Sequence, residues 1–388
     1  MKNGNDTIML TGRIDTSNAA EWEKTIFTHL DNGEAPVFDA CGLEYISSAG
    51  LRVLMKVIKR SRGGVKVINV SPEVYDIFDV TGFAELMTVE KRMREISVEG
   101  CEVIGKGFCG TVYRIDPETI VKVYTEPDSL PMIKNEQQLA KRAFVKGVPT
   151  AISYDIVRVG DCYGSVFELL NAKSFNDHLI NEPDRFDELL KEYVDFLKTI
   201  HSAEMDAGSI PMARDKFIGY LDFIASDGDH ISPENIARLK DMLTALPDDL
   251  HMVHGDYQMK NVMIVGDEPM LIDMDTVSTG QPLFDLQALY VTYILFGEDE
   301  PDNLKNFLGI PNEWGKRIWQ SIMSNYFDTA DEQKLAEIQE KISLAAYVRF
   351  LYLIVSTDLK NCELGEKRIR RTKANIAEHI KKVDDLMI

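Results

Sequence analysis

The sequence is poor in three things, each of which would have pointed to a different kind of protein. Long apolar runs are missing: the longest, Ile342 to Val355, is interrupted by Arg349 and falls short of the ~18 residues that a membrane-spanning helix needs. The opening MKNGNDTIML lacks the basic start and apolar stretch of a secretory leader. A cytoplasmic protein without a membrane span is therefore expected. Cysteines are scarce and unpatterned, since Cys41, Cys101, Cys109, Cys162 and Cys362 form no C-x-x-C motif, which argues against a zinc module and against a disulfide framework. They read as reduced thiols. Basic charge is in deficit, with 43 Lys+Arg against 63 Asp+Glu and a net charge of −20. Affinity for nucleic acid comes largely from Lys and Arg neutralising phosphates, so no nucleic-acid partner is expected.

What is present is a chain of 388 residues, 45% of them hydrophobic, enough for two or three domains with cores of their own. No repeat interrupts it. The charged stretch KRMREISVEG at 91–100 separates two differently patterned regions and sets a boundary between residues 1–96 and 97–388. Residues 1–96 hold 12 Lys+Arg and 14 Asp+Glu, net −2, which leaves −18 for the remainder.

The first region alternates strand-like runs (Thr7–Leu10, Ala35–Asp39, Val65–Val70) with amphipathic helices, one through Trp22, Ile26 and Leu30 and one presenting Leu51, Leu54, Met55 and Ile58 at helical spacing. Ser71-Pro72 supplies an N-cap and a first-turn proline for one more helix. This β-α-β-α-β order predicts an α/β sandwich. Between the second strand and its helix lies Asp39-Ala40-Cys41-Gly42-Leu43-Glu44-Tyr45-Ile46-Ser47-Ser48-Ala49-Gly50-Leu51. With Gly12-Arg13-Ile14-Asp15 and Ser71-Pro72-Glu73, this segment resembles the STAS domain of anti-sigma-factor antagonists. In that family the motif's serine is phosphorylated by a partner kinase, and the added charge abolishes partner binding. Laying the family's Asp-Ser-Ser-Gly-Leu over Ser47–Leu51 makes Ser48 the phosphorylation candidate, with Ser47 where the family carries aspartate. Serine also commonly caps a helix start, and the two roles are compatible because the helix dipole favours a phosphate there.

The second region opens with Gly105-Lys106-Gly107-Phe108-Cys109-Gly110-Thr111-Val112, a G-x-G-x-x-G-x-V pattern. A dinucleotide-binding turn would need a helix directly after the glycines. Here the strand continues to Ile115, turns at Asp116-Pro117-Glu118 and returns through Ile120–Tyr124, the hairpin that kinases lay over phosphates. Lys122 then sits at the kinase β3-lysine position, and Glu136, in the helix-like stretch Ile133–Lys141, at that of its partner. Downstream run Val253-His254-Gly255-Asp256-Tyr257-Gln258-Met259-Lys260-Asn261 and Ile272-Asp273-Met274-Asp275. Phosphoryl transfer needs an acid to orient the attacking hydroxyl, an amide oxygen and a carboxylate for Mg²⁺, and a lysine on the phosphates. Asp256, Asn261, Asp273 and Lys122 supply these in kinase order, with the five-residue step from Asp256 to Asn261 matching the catalytic-loop motif.

With Gly255 in place of arginine and Asp273-x-Asp275 in place of Asp-Phe-Gly, the set resembles the aminoglycoside and choline phosphotransferase branch of the kinase-like fold, over about residues 100–360. The resemblance implies a bilobal α+β domain with an N-lobe at 97–170 and a C-lobe at 171–388. It implies Asp256 as catalytic base; Asn261, Asp273 and Asp275 as Mg²⁺ ligands; Gly105, Gly107, Gly110, Lys122 and Glu136 at the nucleotide phosphates; and a hinge at Phe167-Glu168-Leu169-Leu170 in which Glu168 and Leu170 receive the base of ATP or GTP. Asp285 matches an aspartate that buttresses the catalytic loop in relatives, and an N-cap is its other reading. Only eleven residues separate Asp273 from Asp285 and no Ala-Pro-Glu follows, leaving no room for a protein kinase's activation loop. Gln258 replaces the lysine that protein kinases place two residues after the base, and Lys260 stands nearby to meet a phosphate or solvent. The expected function is transfer of a γ-phosphoryl group to a small-molecule hydroxyl under the control of a regulatory STAS domain, which also offers a surface for a protein partner. The acidic surplus would suit a cationic acceptor. The alternative is a protein kinase or nucleotide-binding switch acting on Ser48 in a sigma-factor or stress circuit. The apolar stripe Phe186–Ile200, leading to His201, and the helix around Ile342–Ile354 are expected to be core, and the basic Glu366–Ile388 to pack on the acidic domain.

Overall fold

The computed structural model describes residues 7–30, 35–107 and 110–388. The chain forms two compact units, Met1–Val98 with Ile156–Asp161, and Glu99–Asp155 with Cys162–Ile388.

In the first unit β1 (Ile8–Ile14), β2 (Val37–Ile46), β3 (Lys66–Val70) and β4 (Thr88–Lys91) form a parallel sheet in that order. Parallel neighbours cannot be joined by hairpins, so every connection crosses over through a helix: α1 (Ala19–His29), α2 (Ser48–Arg60), then α3 (Pro72–Val80) with the short α4 (Phe83–Leu86). Along β1 the buried Ile8, Leu10 and Ile14 alternate with exposed Met9, Thr11 and Arg13, so one face of this strand is covered. The spacing in α2 had placed Leu51, Leu54, Met55 and Ile58 on the apolar face. The helix buries Gly50, Leu51, Val53, Leu54 and Val57, with Met55 and Ile58 partly buried against the same core. Gly50 accounts for this wider face: a Cβ there would meet Ile46 Cγ1 at 2.6 Å and Ile14 Cγ2 at 2.8 Å. Only glycine lets the helix start lie so close to the sheet, and Val53, Leu54 and Val57 share its face at helical spacing.

The strand β5 (Arg94–Glu95) runs parallel to β9 (Asp155–Val159), pairing Arg94 with Val157. In the second unit β6 (Glu102–Lys106), β7 (Gly110–Asp116), β8 (Thr119–Tyr124) and β10 (Cys162–Glu168) form antiparallel neighbours in the order β10-β8-β7-β6, with α5 (Leu130–Val145) following β8. The rest is mainly helical: α6 (Phe175–Asn181) after the short β11 (Ala172–Ser174), then α7 (Phe186–His201), α8 (Ala213–Asp227) and α9 (Pro233–Thr244). Two small sheets interrupt the helices. Strands β12 (Met252–Val253) and β15 (Ser278–Thr279) pair, while β13 (Val262–Val265) lies between β11 and β14 (Glu268–Leu271) and pairs with both. The loop 254–261 therefore runs from β12 to β13 and the loop 272–277 from β14 to β15, so hydrogen-bonded strands hold both ends of each.

Under these loops lies α10 (Leu283–Tyr290), all eight of whose residues are buried, as a helix that is apolar nearly all round must be. After α11 (Phe296–Asp299), α12 (Asn303–Leu308) and α13 (Trp314–Tyr326), the long α14 (Glu332–Val355) packs on α10. The terminal α15 (Glu363–His379) turns its basic residues onto acids of the same unit: Arg368 lies 3.1 Å from Glu300, Lys367 3.5 Å from Asp299, and Arg371 3.1 Å from Glu298 as well as on Asp299. Among the described residues no helix is long and apolar enough to cross a membrane.

Candidate active site

The catalytic-loop segment is anchored from below by Asp285. Its carboxylate is fully buried and accepts the backbone N–H groups of His254 (2.8 Å) and Gly255 (2.5 Å), while Oδ2 meets His201 Nε2 at 2.9 Å. His201 Nδ1 in turn lies 2.7 Å from the Tyr326 hydroxyl. Burial alone would push the Asp285 carboxyl up, yet the hydrogen bond and charge of His201, with His254 behind it, hold it below the usual carboxylate range. Asp285 does not cap α10: that helix starts after Pro282 without any side-chain cap. Gly255 has φ +83°, and a Cβ there would lie 2.8 Å from the Thr276 carbonyl oxygen. This accounts for glycine where protein kinases carry arginine, because an L side chain would be strained and in collision.

With the loop so held, Asp256 and Asn261 meet. Asn261 Nδ2 donates to the Asp256 carbonyl (2.9 Å) and to its Oδ2 (3.1 Å), and Gln258 Nε2 donates to the same Oδ2 at 3.2 Å. The Asn261 amide nitrogen is thereby committed, leaving its Oδ1 as a hard oxygen donor. Lys260 turns away and donates to the Phe307 carbonyl.

On the strand side, Lys122 of β8 lies 3.4 Å from Glu136 Oε1 and 2.5 Å from Asp273 Oδ1, and Tyr124 donates to Glu136 Oε2 at 2.6 Å. Burial would depress the Lys122 ammonium, but Glu136 and Asp273 outweigh it and hold it above its ordinary value. Asp273 has φ +63°, a left-handed conformation that costs a non-glycine residue energy and is found where function over-determines the backbone. Burial, then Asp273 and Glu136, push the Asp275 carboxyl up to about 6. That is an excess of negative charge which a cation would relieve. Mg²⁺ is usually held by one or two carboxylates plus substrate phosphates. Asn261 Oδ1, Asp273 and Asp275 offer hard oxygens of that kind.

The other residues expected to meet the nucleotide lie in or beside β6, β7 and β10. Gly105 is in β6, and Gly107 N–H donates to the Gly110 carbonyl at 2.9 Å. Phe108 and Cys109 lie outside the described residues. A side chain at Gly110 would run into the Val123 carbonyl. At the end of β10, Glu168 pairs with Thr119 and Leu169 N–H donates to Glu118 O at 2.7 Å, and Leu170 follows in the chain. Ser48 is elsewhere, exposed at the start of α2 in the first unit, where Ser47 Oγ accepts the Ala49 N–H at 3.2 Å.

Two side chains escaped the sequence reading. Arg349 of α14 donates from Nη1 to the Gly255 carbonyl (2.7 Å), and its Nη2 lies 3.8 Å from Asp256 Oδ1. Its one signal was being the lone charge in an apolar run. Lys216 of α8 donates to the Thr276 (2.8 Å) and Val277 (3.3 Å) carbonyls, and nothing in its local sequence marks it.

Lys122 held by Glu136 and Asp273, together with a strand-held loop that joins Asp256 to Asn261, is the arrangement of the kinase-like phosphotransferase class. The model of the phosphotransferase enzyme family matches residues 100–316 and that of the STAS domain residues 2–96. The chain belongs to the phosphotransferase enzyme family and carries an N-terminal STAS domain. BtrV of Bordetella bronchiseptica, proposed to be an anti-sigma factor antagonist, is 36% identical over 84 residues, 21% of this chain and 72% of that protein. Among solved structures, the ADP-bound aminoglycoside phosphotransferase APH(2'')-Ib is 14% identical with a TM-score of 0.50, over 80% of this chain and 99% of its own. A choline/ethanolamine kinase family protein from Mesorhizobium loti is 15% identical with a TM-score of 0.47, over 73% of this chain and 92% of its own.

Proposed function

We propose that residues 97–388 transfer the γ-phosphoryl group of ATP or GTP to the hydroxyl of a small molecule, with residues 1–96 as the regulatory domain. The observation that carries this reading is that Lys122 lies 3.4 Å from Glu136 and 2.5 Å from Asp273, while the loop of Asp273 is tied to that of Asp256 and Asn261 by the hydrogen bond from Ile272 N–H to the Asn261 carbonyl at 3.0 Å. Mg²⁺, held by Asn261 Oδ1 and Asp273 with Asp275 behind them, would supply neutralisation of phosphate charge. Lys122, steered by Glu136, binds the phosphates under the hairpin of Gly105, Gly107 and Gly110, and Glu168 and Leu170 take the base. Use of a nucleotide agrees with the ADP bound in the similar fold of APH(2'')-Ib. Asp256 orients the acceptor hydroxyl and takes its proton as the new P–O bond forms and the nucleoside diphosphate leaves. Little else is asked of the protein, since positioning and charge carry such reactions.

The test is a split between binding and turnover. Mg-ATP should raise the thermal midpoint of the wild type and of Asp256→Asn, and lose that effect in Lys122→Met and Asp273→Asn. Release of ADP in the presence of an acceptor should need all three residues. Turnover undiminished in Asp256→Asn would remove the proposed base.

A second reading is favoured by one observation at α2. Ser47 provides the cap, so the exposed Ser48 hydroxyl is left over at a helix start, where a phosphate is electrostatically welcome. In this reading Ser48 is phosphorylated, by this enzyme or by a partner kinase, and the first unit acts as a switch. Incubation with Mg-ATP and intact-mass measurement on wild type, Ser48→Ala and Asp256→Asn decide it: one phosphate that both substitutions abolish makes the chain its own kinase.

A further inference from the structure

The reading of Asp256 as the base also fixes the side from which the acceptor comes. Asp256 Oδ2 is occupied by Asn261 and Gln258, at 3.1 and 3.2 Å, so Oδ1 is the oxygen that meets the acceptor hydroxyl. The nearest charged group to Oδ1 is Arg349, 3.8 Å away. Arg349 also lines a cavity of about 30 Å³ together with Lys216, Tyr220, Ser278, Gly255 and Phe217. We propose that Lys216 and Arg349 form a subsite for an anionic group on the acceptor, so that the molecule phosphorylated is a hydroxy compound bearing a carboxylate or a phosphate. This rests on the phosphotransferase reading above and names its substrate class.

Lys216 is the stronger part of the argument. Its ammonium has three N–H donors, and two are spent on the Thr276 and Val277 carbonyls. Among the described residues it forms no ion pair. A half-buried cation without a counter-ion is costly to keep, and the strain registers: burial, with Arg349 adding to it and Asp275 opposing, brings the Lys216 amine down to about 8. An incoming anion supplies the missing charge. Arg349 brings the planar guanidinium suited to carboxylate and phosphate oxygens, and the Tyr220 hydroxyl offers a further donor. A volume of about 30 Å³ accommodates roughly two water-sized groups, which suits a carboxylate end but not an aminoglycoside ring.

The opposing arguments are the surplus of −18 in residues 97–388 and the aromatic walls of the cavity. Tyr220 stacks on Tyr352 at 4.1 Å and lies 5.1 Å from Phe217, and such faces can receive a cation. Two fixed cations in the same small space would repel it. The distant surplus acts on diffusion and is screened by salt, whereas contact-range charge decides what binds.

The test uses the full chain with Mg-ATP or Mg-GTP and acceptors matched in shape but differing in charge: gluconate, glucose and glucosamine; glycerate, glycerol and serinol; and glucose 6-phosphate. ADP release should occur with an anionic member, and Lys216→Met should raise its KM at least tenfold with a smaller change in kcat, while Lys216→Arg restores most of the affinity. Turnover confined to neutral or cationic members overturns the proposal, as does anionic turnover indifferent to Lys216→Met. If no member reacts, inorganic phosphate decides, added at constant ionic strength to protein already saturated with Mg-ADP. A rise in unfolding midpoint that Lys216→Met loses and Lys216→Arg keeps supports the subsite, and the lack of such a rise overturns it. The midpoint shift from Mg-ADP itself shows that each variant is folded. Its absence from the wild type would mark failure of the phosphotransferase reading instead.

Discussion

The two flanks of Asp256 are built from unlike material. On one, Asp273, Asp275 and Glu136 gather around Lys122, with Lys122 on β8, Glu136 on α5 and the two aspartates in the loop 272–277. On the other, Lys216 and Arg349 come from the helices α8 and α14 and lean on backbone carbonyls of the two catalytic loops. On the readings proposed above, the acidic flank would take a nucleotide whose phosphates arrive with Mg²⁺, and the basic one a partner that brings its own negative charge. Asp256 would then serve a phosphoryl group passing from the first field toward the second.

The comparison is broken most completely at its centre. Asp256→Asn should lower kcat by about 10³-fold, within the range that a positioned base supplies, and leave the midpoint shift with Mg-ATP intact. Loss of nucleotide binding in that variant would mean that Asp256 serves the nucleotide flank alone. Asp285→Ala attacks the support common to both flanks. It removes a buried acceptor from two backbone N–H groups and from His201, and should cost about 3–5 kcal/mol of stability, read as a fall in denaturant midpoint. Nucleotide and acceptor kinetics should suffer together. Damage to one of them alone would show that Asp285 does not carry the whole loop.

The two flanks also differed in how visible they were beforehand. Lys122, Asp256, Asn261 and Asp273 stand in short runs where neighbours in sequence are neighbours in space, so their chemistry could be read from order and spacing. The parallel α/β order of the first unit was legible for the same reason, as strand and helix periods are local. Arg349 and Lys216 are far from the catalytic loops in sequence and reach them only because α14 packs on α10 and α8 on α14. Position on a helix face cannot announce such contacts. The full core face of α2 was not legible on similar grounds: spacing admitted Leu51, Leu54, Met55 and Ile58, all of which pack on the core, but the close approach at Gly50 also buries Val53 and Val57.

Acidity sharpens the contrast between the flanks. Lys216 is brought down to about 8, so it is an ammonium below that pH and a neutral amine above it. Of the groups facing it, Asp275 at about 6 is already ionised, and burial pushes the Tyr220 hydroxyl above its usual range. KM for an anionic acceptor should therefore rise roughly tenfold between pH 7 and pH 9, following the protonated fraction of Lys216, while KM for nucleotide stays level. A flat acceptor profile, or one that falls with pH, would remove Lys216 from acceptor binding.

The smallest effect separates two adjacent serines in the first unit. Ser47 takes the extended conformation of an N-cap, with φ −91° and ψ 175°, and its Oγ satisfies the Ala49 N–H. Ser48 occupies the first helical position and is exposed. Ser47→Ala should therefore cost about 1 kcal/mol, visible as faster hydrogen exchange in the first turn of α2, whereas Ser48→Ala should stay within ~0.5 kcal/mol, as surface substitutions do. The division matters for the switch reading, since a phosphate on the capping serine would destroy the cap it modifies, while one on Ser48 would leave it in place and add charge where the helix dipole favours it. Equal costs for the two substitutions, or a larger cost at Ser48, would place the structural role on Ser48 and with it remove the hydroxyl that the switch needs to be free.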